Sequence, residues 1–268
     1  MELWWVYLLI GAFVGFMAGL LGVGGGMILV PILLFVFAAQ GAATGFPEAH
    51  LMHMALATAM ATIPFTSASS VRAHHARGGV DWPIVFGMLP GLALGALAGT
   101  LVAGGIPGRP LAIFFAAFIL YAATTMFFDL KPKGMRALPG RLGLGLVGAA
   151  VAFLATFLAA GAAFMTIPFM TWCSVPLKRA VGTAAAIGFP LALAASVGYV
   201  LAGREAGSLP AFSLGFIYLP ALALIAIPSV LTAPIGARVS QRMPVKQLRF
   251  VFALMLYAIA AKMVVSLW

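Results

Sequence analysis

The residues of this chain with the clearest chemical meaning are four glycines within five positions, Gly22, Gly24, Gly25 and Gly26, directly before an apolar run that starts at Met27. Each glycine destabilises a continuous helix by about 1 kcal/mol relative to alanine. The run therefore reads as a helix break followed by a new helix N-terminus. Backbone N–H groups at such a terminus are unpaired within the helix and carry the positive end of its dipole, so they suit an anion. A second small-residue break lies at Ala159 to Ala163, around Gly161, and nearby hydroxyls at Thr58, Thr62, Ser67 and Thr183 can complete a donor shell. The expected binding set is Gly24, Gly25, Gly26, Thr58, Thr62, Gly161 and Thr183. Small residues also serve close helix packing, and a buried threonine often bonds its own helix backbone. For any single threonine the packing use is the simpler reading; for a glycine-rich break that occurs twice, ligand binding is.

Other chemistry is sparse. The five carboxylates, Glu2, Glu48, Asp81, Asp129 and Glu205, fall at segment ends or in loops, so no midplane carboxylate is offered to a cation. His50 and His53 stand at one end of a segment, and His74 and His75 at its other end. Histidine titrates near neutrality, so His53 and His74 are candidates for proton coupling, although interfacial placement explains them equally well. Arg72 and Arg77 suit topology anchoring or attraction of anions to a mouth. No nucleophile elbow, metal-ligand cluster or cofactor motif is present, and an enzyme is not expected. The lone Cys173 excludes an intrachain disulfide.

These residues must be positioned by membrane helices. The chain is 64% hydrophobic and 7% charged, against about 25% charged for soluble domains. Its apolar runs, 3–21, 27–39, 51–71, 83–103, 111–128, 142–160, 162–173, 181–202, 212–236 and 250–268, predict an all-α polytopic bundle. The second and seventh are short and follow the two breaks, so they read as half-helices or re-entrant elements. The net charge of +10 resides in loops rather than on a basic face, which points to a lipid bilayer and away from nucleic acid.

The chain also repeats itself. GGGMILVP at Gly24–Pro31 matches GAAFMTIP at Gly161–Pro168 at an offset of 137, which also pairs Gly99 with Gly236 and Pro107 with Pro244. Thr58 corresponds to Thr183 and Pro64 to Pro190, at offsets of 125 and 126 that differ by one residue. The organisation expected is a first repeat over 1–128, a basic linker over 129–141 and a second repeat over 142–268. Five segments per half make the two copies inverted. Placing Arg72 and Arg77, the 131–141 linker, Lys178 and Arg179, and the 238–249 loop in the cytoplasm puts 12 basic residues inside. Arg109 and Arg204 are then outside, in accord with the positive-inside rule.

Taken together, GVGGGMILVPIL at 22–33, GAAFMTIPF at 161–169, HHARGGVDW at 74–82, VGTAAAIGFP at 181–190 and SLGFIYLPAL at 213–222 resemble the TauE/SafE family of sulfite exporters and toluene sulfonate uptake permeases. The resemblance covers essentially the whole chain. It implies a duplicated secondary transporter of the bacterial inner membrane that exports sulfite, sulfoacetate or another organosulfonate, with protons as coupling partner. Separately from the resemblance, a homodimer is one option. A passive anion channel, or an uptake permease for a sulfonate or carboxylate, is the alternative. The second motif departs from the glycine-rich form, with Ala159, Ala162 and Ala163 in place of glycines.

Overall fold

The structure is a computed structural model that describes residues 4–21, 25–41, 45–128, 137–159, 162–207, 209–240 and 245–267. Ten α-helices run through these residues: α1 Trp4–Leu21, α2 Gly26–Gln40, α3 Leu51–His75, α4 Trp82–Gly105, α5 Gly108–Phe127, α6 Arg141–Leu158, α7 Ala163–Trp172, α8 Leu177–Ala202, α9 Leu219–Ser240 and α10 Val245–Leu267. They match the ten apolar runs in order. Glu48–Arg72, Trp82–Gly105, Gly108–Phe127, Arg141–Leu158, Leu177–Ala202 and Leu219–Gly236 are long and apolar enough to cross a bilayer. At 10 residues α7 is about 15 Å long, half the hydrocarbon thickness. It is a half-helix, as its length in sequence predicts.

One stretch differs from expectation. The run at 212–236 begins not as helix but as a hairpin of two short strands, β1 Ser213–Leu214 and β2 Ile217–Tyr218. Phe212 and Gly215 both have positive φ, 65° and 54°, which reverses the chain before α9 starts. The hairpin is anchored by the Phe216 N–H, which donates to the Tyr199 carbonyl at 3.4 Å, and by the Leu219 N–H to the Phe212 carbonyl at 3.2 Å.

Lipid offers little hydrophobic drive for helices to associate, so backbones approach through small residues. Gly11, Gly15 and Gly19 recur every four residues on one face of α1 and lie against the backbone of Ile225, Ser229 and Ala233 in α9. Gly91, Gly95 and Gly99 do the same on α4 against Gly145, Ala149 and Phe153 of α6. Contacts of the two halves correspond: α1 packs on α9 and α6 on α4; α3 packs on α9 and α8 on α4; α2 packs on α3 and α7 on α8. The remaining major pairs, α3 with α8 and α5 with α10, join equivalent helices to each other. Gly99 approaches the Phe153 carbonyl and Gly236 the Phe16 carbonyl, both members of each pair being separated by 137 from those of the other.

Helix direction follows from contacts at the ends. Gly182, near the start of α8, lies against Gly79 and His74 at the end of α3, whereas His53, near the start of α3, stacks on Phe216 in the hairpin that follows α8. The two helices therefore run antiparallel. Arg72, Arg77, Arg141, Lys178, Arg179 and Arg238 are exposed at the end where α3 and α9 finish and α6 and α8 begin. Arg109 and Arg204 are exposed at the hairpin end.

Candidate anion site at the two helix breaks

The two breaks, far apart in sequence, meet in the core. Gly25 has φ +72°, a left-handed conformation that lets the chain turn back along α1, and a Cβ there would lie 2.9 Å from Val14 Cγ1. Gly26, the first residue of α2, is buried against the carbonyl oxygen of Ala159, which a Cβ at this position would overlap. Ile63 Cδ1 would be 3.3 Å from the same Cβ. Ile63 lies near the middle of the Glu48–Arg72 span, so the breaks meet at mid-depth. Ala159 itself is left-handed, with φ 39°, and completely buried. An alanine takes this conformation at a cost that a glycine, such as Gly25, does not bear.

Neither new helix has a side-chain cap: α2 follows Gly25 and α7 follows Ala162, each without a capping hydrogen bond. Both begin with the same backbone pattern. The Gly25 carbonyl accepts the N–H groups of Ile28 and Leu29, and the Ala162 carbonyl those of Met165 and Thr166. The N–H groups of the first turn are thereby left to face the break, where they can bind an anion. Gly24 and Gly161, also expected at the site, lie outside the described residues.

The threonines divide into two kinds. Thr62 donates its hydroxyl proton to the Ala59 carbonyl of its own helix at 2.7 Å, and Thr66 and Thr166 bond their own helices in the same way. Thr58 and Thr183 instead accept from other elements. The Tyr218 N–H donates to Thr58 Oγ1 at 3.1 Å, and the Asp81 N–H donates to Thr183 Oγ1 at 2.9 Å. Both residues are fully buried. Sequence reasoning did not single out Asp81 and Tyr218 as their partners, nor Ala159 as the residue facing Gly26. The offset of 137 that relates Asp81 to Tyr218 was the available signal.

His53 is 1% exposed. Its Nε2 lies 2.9 Å from the Ile106 carbonyl and 3.1 Å from that of Ala103, so Nε2–H ties α3 to the end of α4. Its Nδ1 is buried and unpartnered, as are His50 Nδ1 and Ser213 Oγ close by around Phe216. His74, past the end of the spanning stretch, is half-buried; burial and then the Arg77 guanidinium hold its imidazole below its ordinary range. Arg72 and Arg77 are exposed at that basic end. The structure does not bring the histidines to the helix breaks: they occupy the two ends of α3. Two surface grooves, one between α4 and α6 and one among α3, α4 and α8, are lined by apolar residues and are separate from the breaks.

Helices of spanning length arranged around two broken helices that meet at mid-depth have the architecture of a multi-pass membrane transporter. The chain belongs to the family described as Sulfite exporter TauE/SafE, whose sequence profile matches residues 7–263. It is 33% identical over 261 residues to a probable membrane transporter protein of Haemophilus influenzae, covering 96% of each chain. A probable membrane transporter protein of Methanocaldococcus jannaschii is 24% identical over 252 residues, covering 92% of this chain and 90% of its own. One from Bacillus subtilis is 25% identical over 240 residues, with 86% and 87% covered. No solved structure matches the chain.

Proposed function

We propose that the protein is a secondary carrier that exports a small sulfur-containing anion, such as sulfite, sulfoacetate or another organosulfonate, across a bacterial inner membrane, coupled to protons. The observation that carries this reading is the contact of Gly26, the first residue of α2, with Ala159, which sets the uncapped N-terminus of α2 against the break that precedes the uncapped α7. An oxyanion can be held there by backbone N–H groups without a buried cation, and by Gly24, Gly25, Gly26 and Gly161 because small residues give the ligand access to the backbone. The family's description as a sulfite exporter supports the substrate class.

In this reading residues 1–128 and 142–268 are inverted repeats joined by a basic cytoplasmic linker. Support comes from the antiparallel course of α3 and α8 and from the correspondence of packing pairs between the halves. The basic end faces the cytoplasm. Arg72 and Arg77 draw anions to that mouth, and His53 and His74, at opposite ends of α3, are the groups available to couple proton movement.

Flux measured in proteoliposomes for sulfite, sulfoacetate, taurine and sulfate, with and without an imposed pH gradient, tests the reading. A coupled sulfur-anion carrier moves one of these faster than the rest and accumulates it against its gradient when a pH gradient is imposed. Equilibration without accumulation would replace the carrier by a passive anion channel, and no movement of any of them would refute the substrate class.

A further inference from the structure

We propose that Thr58 and Thr183 are positioning residues of the transport cycle, each latching one face of the carrier shut by holding a backbone N–H that stands immediately before a helix of the opposite half. This inference rests on the carrier reading above.

The same bond is built twice. Thr58 in α3 accepts the Tyr218 N–H, and Thr183 in α8 accepts the Asp81 N–H. Thr58 and Thr183 are the aligned threonines of the repeat, and Asp81 and Tyr218 are separated by 137, the offset of the two breaks. The helices that follow begin at Trp82 and Leu219, again at this offset. So do the turns that precede them: Gly78 has φ 64° and Gly215 φ 54°. Two halves that have diverged in sequence have therefore kept one arrangement, a glycine turn followed by a peptide N–H held by a threonine from across the molecule.

The two bonds lie at opposite ends. The Thr183 bond is at the basic end, where Gly182 lies against Gly79 and His74. The Thr58 bond is at the hairpin end, where the Tyr218 ring packs among Tyr7, Phe37 and Phe46. Each joins the two halves: α3 to the start of α9, and α8 to the start of α4. A threonine within a helix ordinarily spends its hydroxyl on its own backbone, as Thr62, Thr66 and Thr166 do. Thr58 and Thr183 instead serve the start of another element. A buried N–H keeps such a partner while water is excluded, and water can replace the hydroxyl where the face opens. Each latch thus opens only on the side that hydrates. Both bonds are made in this structure.

Hydrogen–deuterium exchange of the full chain in lipid nanodiscs reads each latch separately. Thr183→Val removes the acceptor oxygen on the basic side. The Asp81 amide is expected to exchange about 3- to 10-fold faster, and the Tyr218 amide more slowly than in the wild type, because the population shifts to the state closed at the hairpin end. Thr58→Val gives the mirror image, and Thr58→Ser and Thr183→Ser, which keep the oxygen, return the wild-type pattern. Thr58→Ala and Thr183→Ala give the same reciprocal change where a valine variant does not fold. A faster amide beside each substitution with no slowing at the far one, or no change at either, would overturn the latches. The outcome is independent of which anion is carried: a reciprocal pattern in a chain that moves no sulfur anion would count against the substrate alone.

Discussion

Gly26→Val is expected to lower anion flux at least about tenfold while leaving the bundle assembled. A Cβ at Gly26 would overlap the Ala159 carbonyl oxygen, and the valine methyls would press on Ile63 as well. Ala159 cannot give way freely, because it is itself held in a left-handed conformation and is completely buried. The two breaks must therefore separate, and the donors they bring together no longer converge. Overpacking of this kind costs about 1 to 3 kcal/mol, and a loss of about 1.4 kcal/mol in anion binding is already tenfold. The glycine faces that join α1 to α9 and α4 to α6 do not include Gly26, so the variant should still purify as a folded chain. Flux per folded protein in proteoliposomes checks this, and a wild-type rate would remove the breaks from the transport path.

Gly95→Leu is expected to have the largest effect on stability. The Gly95 position faces the Ala149 backbone so closely that even a Cβ would overlap the Ala149 carbonyl. A leucine there forces α4 away from α6, and the same substitution at Gly15 forces α1 from α9, where Ser229 stands in the way. We expect each to lower the thermal midpoint by at least about 2 °C, from an overpacking cost of about 1 to 3 kcal/mol or more. Gly105 is the control: nothing lies within 4 Å of a Cβ there, and Gly105→Leu should shift stability by no more than about 0.5 kcal/mol. Melting curves in detergent that place Gly95→Leu and Gly105→Leu together would show that the glycine face is not what holds α4 on α6.

The helices were legible because hydrophobic runs of spanning length, punctuated by glycine and proline, leave little choice of structure in a bilayer. The half-helix α7 could be read from its length alone. The hairpin at 213–218 could not: after Ser213, SLGFIYLP is mostly apolar, and periodicity does not separate a short apolar strand from the first turns of a helix. Its reversal depends on the positive φ of Phe212 and Gly215 and on the Tyr199 carbonyl, which comes from another helix. For the site, the glycine run announced a break, yet nothing local says that Gly26 faces Ala159. Thr62 and Thr58 look alike in sequence, but one bonds its own helix and the other receives a peptide N–H from 160 residues away. That difference is tertiary. The partners of His53 were not legible either, because its two carbonyls lie beyond the reach of a helix pattern, at the far end of α4.

The central claim, that one anion is seated where the two breaks meet, is tested most directly by equilibrium binding of radiolabelled sulfite to the purified chain in detergent, comparing wild type with Gly25→Leu and Ala162→Leu. One saturable site per chain is expected, weakened at least about tenfold by either substitution, because each introduces bulk beside one of the two helix N-termini. Wild-type affinity in both variants, with both folded, would place the anion elsewhere and contradict the account.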